Sequence, residues 1–140
     1  MIKLFLILVL DSLKKKLLNR FLMIQKNSKL KPVDNSGVLK ANVFHIYKNL
    51  NRIANTGNFL KVSVRDLKPE SIIKKKSKHI SILIKTVYKN VKLDGSFIKF
   101  NKNGLVILKK RLTPKGSNLR GPVSRNVRRK KFMSSFSKTV

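Results

Sequence analysis

Lys74, Lys75, Lys76 and Lys78, four lysines in five positions, and the later group Arg125, Arg128, Arg129 and Lys131 have types and spacing that could do chemistry. Clustered ammonium and guanidinium groups hold phosphate: arginine offers a fork for two oxygens at once, and lysine a mobile point charge. No acid follows Asp94 to neutralise the second group. Catalysis would need a cluster of polar residues of matched type, and the chain has only His45, His79 and five carboxylates scattered among turns. Metal-ligand spacing, a phosphate-cradling glycine loop and a nucleophile motif are all lacking in the sequence. The expectation is a protein that is not an enzyme, with no catalytic residue, metal, cofactor or small-molecule substrate. Asp34 reads as a turn residue bonding its own backbone, and the two histidines as structural or phosphate-facing.

The overall charge points the same way. In 140 residues, 34 Lys and Arg oppose 5 Asp and Glu, a net charge of +29, far above that of an ordinary soluble domain. A body so charged repels itself and should gain stability from a bound polyanion. Nucleic acid is the first reading and an anionic membrane surface the second. A hydrophobic content of 41% suits one globular core. The absence of cysteine excludes disulfides and thiolate sites. Lys, Asn, Ile, Leu and Phe are abundant while alanine occurs only at Ala41 and Ala54, a bias that implies an AT-rich genome such as an organelle's.

Three segments must position these charges, at residues 1–22, 23–110 and 111–140. In the first, Leu6, Leu10, Leu13, Leu17 and Phe21 recur at helical intervals, predicting an amphipathic helix. Its apolar run, Leu4 to Leu10, is too short to cross a bilayer, which takes roughly 20 residues, and no cleavage site follows it. The second segment has the texture of an all-β barrel. Strands are expected near Ser28 to Val33, Val38 to Tyr47, Leu60 to Arg65, Ile80 to Val87, Phe97 to Phe100 and Leu105 to Leu108. Turns at Asp34-Asn35-Ser36-Gly37, Asp94-Gly95 and Asn103-Gly104 separate them, the last two as type I′ hairpins. About five strands, each paired with its sequence neighbour, make a small barrel, with Phe and Tyr at strand positions packing its core. After Lys109 the chain is expected to leave the barrel. There Gly116 and Gly121 permit turns, Pro122 opens a short helix, Val123 and Val127 anchor one face of it, and Arg125, Arg128 and Arg129 occupy another.

These residues resemble the universal large-subunit ribosomal protein fourteen family in a divergent, mitochondrial form. The likeness runs over Met23-Ile24-Gln25, Val33-Asp34-Asn35-Ser36-Gly37, Gly57-Asn58, Lys85-Thr86, Asp94-Gly95-Ser96 with Ile98-Lys99-Phe100, and Gly121-Pro122-Val123 through Lys131-Phe132-Met133. It implies a five-stranded β-barrel with a C-terminal loop and short helices, here preceded by the N-terminal helical extension. It further implies a structural part of the mitochondrial, rather than plastid, large subunit that binds large-subunit rRNA. Neighbouring proteins of the three and nineteen families, small-subunit rRNA at an intersubunit bridge and the ribosome-silencing factor are the implied partners. RNA contact is expected from Asn35, Lys40, the four lysines at 74–78, Lys92, Arg111, Lys115, Arg125, Arg128, Arg129 and Lys131. Protein contact is expected from Leu119, Gly121, Pro122, Val123, Phe132 and Met133. The chain departs from the family pattern at Ser77, Asn118, Arg120 and Asn126, and residues 1–22 have no counterpart in it. That segment supports the competing expectation, a membrane-surface protein using its N-terminal helix and basic barrel.

Overall fold

A computed structural model describes residues 23–47, 53–124 and 127. The N-terminal extension and most of the segment expected to form the C-terminal helix, with Arg125, Arg128, Arg129, Lys131, Phe132 and Met133, lie outside the described residues.

Seven strands follow one another: β1 (Lys29–Pro32), β2 (Val38–Ile46), β3 (Phe59–Leu67), β4 (Lys78–Lys85), β5 (Asn90–Val91), β6 (Phe97–Ile98) and β7 (Gly104–Ile107). Five of them close a barrel in the order β1-β2-β3-β4-β7. Neighbours run antiparallel except at the seam, where β1 pairs parallel with β7 through Lys31 opposite Gly104 and Pro32 opposite Leu105. An up-and-down barrel with an odd number of strands must close on one parallel pair, because its first and last strands point the same way. Register shifts along β2, between Val38 and Lys40, Lys40 and Ala41, and Val43 and His45, supply the curl that closure needs.

Alternation puts Leu30, Val43, Leu60, Val62, Val64, Leu83, Leu105 and Ile107 inside the barrel. Strands β4 and β7 are buried on both faces, as the uninterrupted apolar run Ile82-Leu83-Ile84 already suggests. Their outer residues Ile82, Ile84, Val106 and Leu108 form a second core with Val123 and Val127. The expected anchoring of the C-terminal segment through Val123 and Val127 is therefore present, at 1% and 0% exposure.

Several expectations are corrected. No Phe or Tyr belongs to the buried core among the described residues. The narrow barrel is filled by aliphatic side chains, and Phe59 packs only part-buried against the outer core. Phe97 and Ile98 do not enter the barrel but pair with Asn90 and Val91 in a separate two-stranded ribbon. Asp94-Gly95 is a turn of another type: Gly95 N–H donates to Lys92 O at 3.1 Å, and only Gly95 has positive φ, at 81°. That pattern is a three-residue loop with one left-handed glycine, whereas type I′ needs two such residues. Asn103-Gly104 is no hairpin turn. Asn103 Oδ1 accepts from Val87 N–H at 2.8 Å, and Gly104 is a buried strand residue whose absent Cβ leaves room for Val33 Cγ2.

The segment after Lys109 does not leave the barrel. It reverses at Leu112, which takes φ 61°, and returns along the seam, with Lys115 N–H donating to Ile107 O at 2.8 Å and Arg120 N–H to Val33 O at 3.1 Å.

Candidate nucleic-acid interface

Asp34 ties this returning segment to the barrel. It lies two residues past β1 at 8% exposure, and its Oδ1 accepts from Ser36 Oγ at 2.6 Å while Oδ2 accepts from Ile107 N–H at 3.2 Å. Burial raises its pKa above the ordinary carboxylate value, the hydrogen bonds from Ser36 and Ile107 opposing. A raised folded pKa means that the native state holds its proton more tightly than the unfolded chain does, so stability falls as pH rises from about 4 through the raised value. Asp34→Asn keeps an acceptor for Ile107 and can donate to Ser36 Oγ. Its urea-unfolding midpoint should lose that part of the pH dependence, whereas an unchanged pH profile would deny Asp34 the role.

Beside it, Asn35 spends its amide within the chain. Its Nδ2 donates to Ser117 Oγ at 3.0 Å, and its Oδ1 accepts from Asn118 N–H at 3.1 Å. Gly116 makes this close approach possible, since a Cβ there would lie 2.7 Å from Asn35 Oδ1. Asn35 thus positions the loop that carries Lys115, Leu119 and Arg120. Leu119 packs part-buried on the outer core and Val123 is wholly buried in it, so both hold the arm to its own barrel. Gly121, at φ 79°, and Pro122 remain exposed. Lys85 reaches from β4 to donate to Arg120 O at 2.8 Å, and its burial lowers its pKa.

The lysine loop between β3 and β4 is built as a display. Ile73 is buried at 5% exposure and pins the loop, while Ile72 is 98% exposed. Lys76 turns the backbone at φ 63° and donates its N–H to Val64 O at 2.9 Å. Ser77 Oγ caps Lys74 O at 2.6 Å and bonds His79 Nε2 at 2.9 Å. Burial first, and then the charge of Lys115, holds the His79 pKa below its ordinary value, which favours the neutral ring. The side chains of Lys74, Lys75, Lys76 and Lys78 are left exposed. Lys92 on the ribbon turn and Arg111 in the Lys109–Leu112 reversal are exposed as well, and Lys115 is half-buried.

Among the described residues the one ion pair is Lys40 with Asp66, at 3.3 Å on a well-exposed surface. Asp34 is buried and Asp94 is bound to the N–H and Oγ of its own turn residue Ser96, so almost all of the positive charge is uncompensated. Cations not singled out from the sequence join the face: Lys29 and Lys31 on β1, and Lys61 and Arg65 on β3. The legible signal was their alternation with core residues, which turns each outward. No group of three His, Cys, Asp or Glu side chains among the described residues could hold a metal ion.

Comparison with known proteins agrees with this architecture. The family model described as "Ribosomal protein L14p/L23e" matches residues 23–139. The chain is also similar to the "Large ribosomal subunit protein uL14m" of Tetrahymena pyriformis, with 47% identity over 119 residues covering 84% of this chain and all of that relative. The match takes in the barrel, the lysine loop, the ribbon and the arm, and it begins where the N-terminal extension ends. The chain belongs to the ribosomal protein L14p/L23e family, as a divergent mitochondrial member of it.

Proposed function

We propose that this protein is a structural constituent of the mitochondrial large ribosomal subunit that binds large-subunit rRNA and does no chemistry itself. The observation that carries the reading is a rigid barrel covered with exposed cations and holding one ion pair among the described residues. Folded RNA is held by such a surface through its backbone, with Lys and Arg fixing register against phosphates. The arm of residues 111–140, whose described part returns along the barrel seam, would lie between that RNA and neighbouring proteins of the three and nineteen families. Its exposed Gly121 and Pro122, with Phe132 and Met133 beyond, are the proposed protein contacts. An intersubunit bridge to small-subunit rRNA and reception of a ribosome-silencing factor would use the same side. The membrane-surface alternative rests on residues 1–22, outside both the described residues and the family match, and no helix among the described residues is long and apolar enough to cross a membrane.

The test is sedimentation from mitochondria lysed without nuclease. The protein should travel with the large subunit and stay with it through a high-salt wash. Joint charge reversal of Arg125, Arg128 and Arg129 should shift it towards free protein or reduce joined ribosomes. A normal profile for that variant would remove the C-terminal helix from docking, and a wild-type protein at the top of the gradient would remove the ribosomal assignment.

A further inference from the structure

The outside of the barrel is divided in two. On β4 and β7 it is apolar and covered by the chain's own C-terminal segment. On β1, β2 and β3 it is open and hollowed into a groove of about 850 Å³, with Lys29, Lys31, Lys40, Arg65 and the Lys40-paired carboxylate of Asp66 among its walls and Leu39 as an apolar patch. Asn42 also lines this groove, and its Oδ1 has no hydrogen-bond partner. A recessed carbonyl with no donor from its own chain is costly unless water or another group reaches it. Two residues further along β2, about 7 Å on, the part-buried ring of Phe44 faces outward. Lys61 Nζ on β3 lies 5.9 Å and Lys78 Nζ on β4 lies 5.7 Å from its centroid.

We infer that the outer face of β1 to β3, with Lys78 at the start of β4, is a platform for an unpaired segment of RNA, with one base against Phe44, another in the groove at Asn42, and the connecting phosphates on the lysines and Arg65. Cations alone would suit any polyanion. The aromatic ring and the amide are what select an unpaired strand, because only splayed bases offer a face for stacking and an edge for hydrogen bonding. In an A-form duplex the base faces are stacked away and the major-groove edges lie too deep for side chains to read. The volume suits a nucleotide, which needs the lower part of the range usual for small-ligand sites. An exocyclic amine, as on adenine or cytosine, stands clear of its ring and is the donor able to reach a recessed carbonyl. The inference rests on the rRNA-binding reading and adds to it the form of RNA and its place on the barrel.

The test uses the full chain with four probes: a single-stranded oligoadenylate carrying one 2-aminopurine, the same sequence as a duplex, a single-stranded oligouridylate, and polyglutamate as competitor. Binding of the single strand should quench the 2-aminopurine, as stacking does. Phe44→Leu, which keeps an apolar side chain, should weaken single-strand binding roughly tenfold and abolish the quench, while duplex affinity and thermal stability stay unchanged. Phe44→Trp should restore both readouts, which separates stacking from folding. Asn42→Ala should lower affinity for oligoadenylate but not for oligouridylate. The platform is overturned if folded or duplex RNA binds while Phe44→Leu leaves single-strand affinity and quench unchanged, or if polyglutamate displaces the strand as readily as RNA does. Failure to bind any RNA would overturn the rRNA reading itself and the platform with it.

Discussion

Raising monovalent salt from about 50 mM to about 200 mM is expected to weaken binding of the full chain to large-subunit rRNA by roughly a thousandfold or more. Each phosphate neutralised by Lys or Arg releases condensed counterions, so the logarithm of affinity falls linearly with the logarithm of salt. The steepness counts the phosphates held. With Lys74, Lys75, Lys76 and Lys78 exposed on one loop, four more cations around the β1–β3 groove, and Lys40 alone ion-paired among the described residues, about six contacts is a modest demand. That number corresponds to the thousandfold loss. Replacing Lys74, Lys75 and Lys76 by Gln should lower the slope by roughly one per lysine without changing which RNA is preferred, because phosphate contacts carry no sequence information. Filter binding or fluorescence anisotropy over a salt series would give the slope. A flat dependence would mean that apolar or base-specific contacts dominate and that the cationic surface is a solubility feature.

A single methyl group at Gly104 should have the largest effect on folding. Gly104 opens β7 at the point where the barrel closes, opposite Lys31 of β1 and Lys85 of β4. Its φ is not among the left-handed ones, so the constraint is space, not backbone conformation: a Cβ would sit inside contact distance of Val33 Cγ2, with Lys85 Cβ at 3.4 Å. Gly104→Ala is expected to cost about 1–3 kcal/mol, the usual penalty for overpacking, even though alanine is ordinarily a better strand residue than glycine. Urea unfolding of a double-mutant cycle tests the cause. If the clash with Val33 is responsible, Val33→Ala should recover much of the loss, and the two changes will fall short of additivity. Strict additivity, or a Gly104→Ala protein as stable as the wild type, would refute the account.

The hairpin signals show how far local rules reach. Asp94-Gly95 and Asn103-Gly104 look alike as sequence, each a polar residue before glycine between apolar runs. The first does turn the chain, but only Gly95 adopts positive φ, and the ribbon it closes is held by a polar knot in which Asn90 Nδ2 donates to Thr86 Oγ1 at 2.8 Å and Thr86 and Thr56 hydroxyls meet at 3.1 Å. The second is a strand residue selected by its lack of a side chain. Glycine is required for left-handed backbone and also for close approach, and a dipeptide does not say which need applies. The aromatic residues make the same point. Phe44, Phe97 and Phe100 occupy strand or near-strand positions that suggest a core, yet each lies beside a lysine ammonium outside the barrel, 4.3 Å from the ring centroid for Lys89 and Phe97. Such contacts are individually modest in water, and they set each ring beside positive charge.

The sequence by itself determined that the partner should be anionic, most strands of the barrel, and the family. A net charge of +29 requires an anion, alternation with period two identifies β2 and β3, and the ordered motifs from Met23 to Met133 identify the relatives. These properties are sums or short-range patterns, written in residues that are neighbours along the chain. Only the tertiary structure decided how the cations are grouped and which apolar residues are spoken for. Val123 and Leu119, which resemble a protein-docking patch in sequence, are held by Ile82, Ile84 and Val106 of the chain's own barrel. Asn35, expected from the sequence to contact RNA, is bound within the chain to Ser117 and Asn118 more than eighty positions away. Lys29, Lys40 and Arg65 meet around one groove because β1, β2 and β3 are adjacent in the sheet. Barrel closure brings these groups together through contacts between distant segments, and no local pattern along the chain encodes which distant residue will be the neighbour.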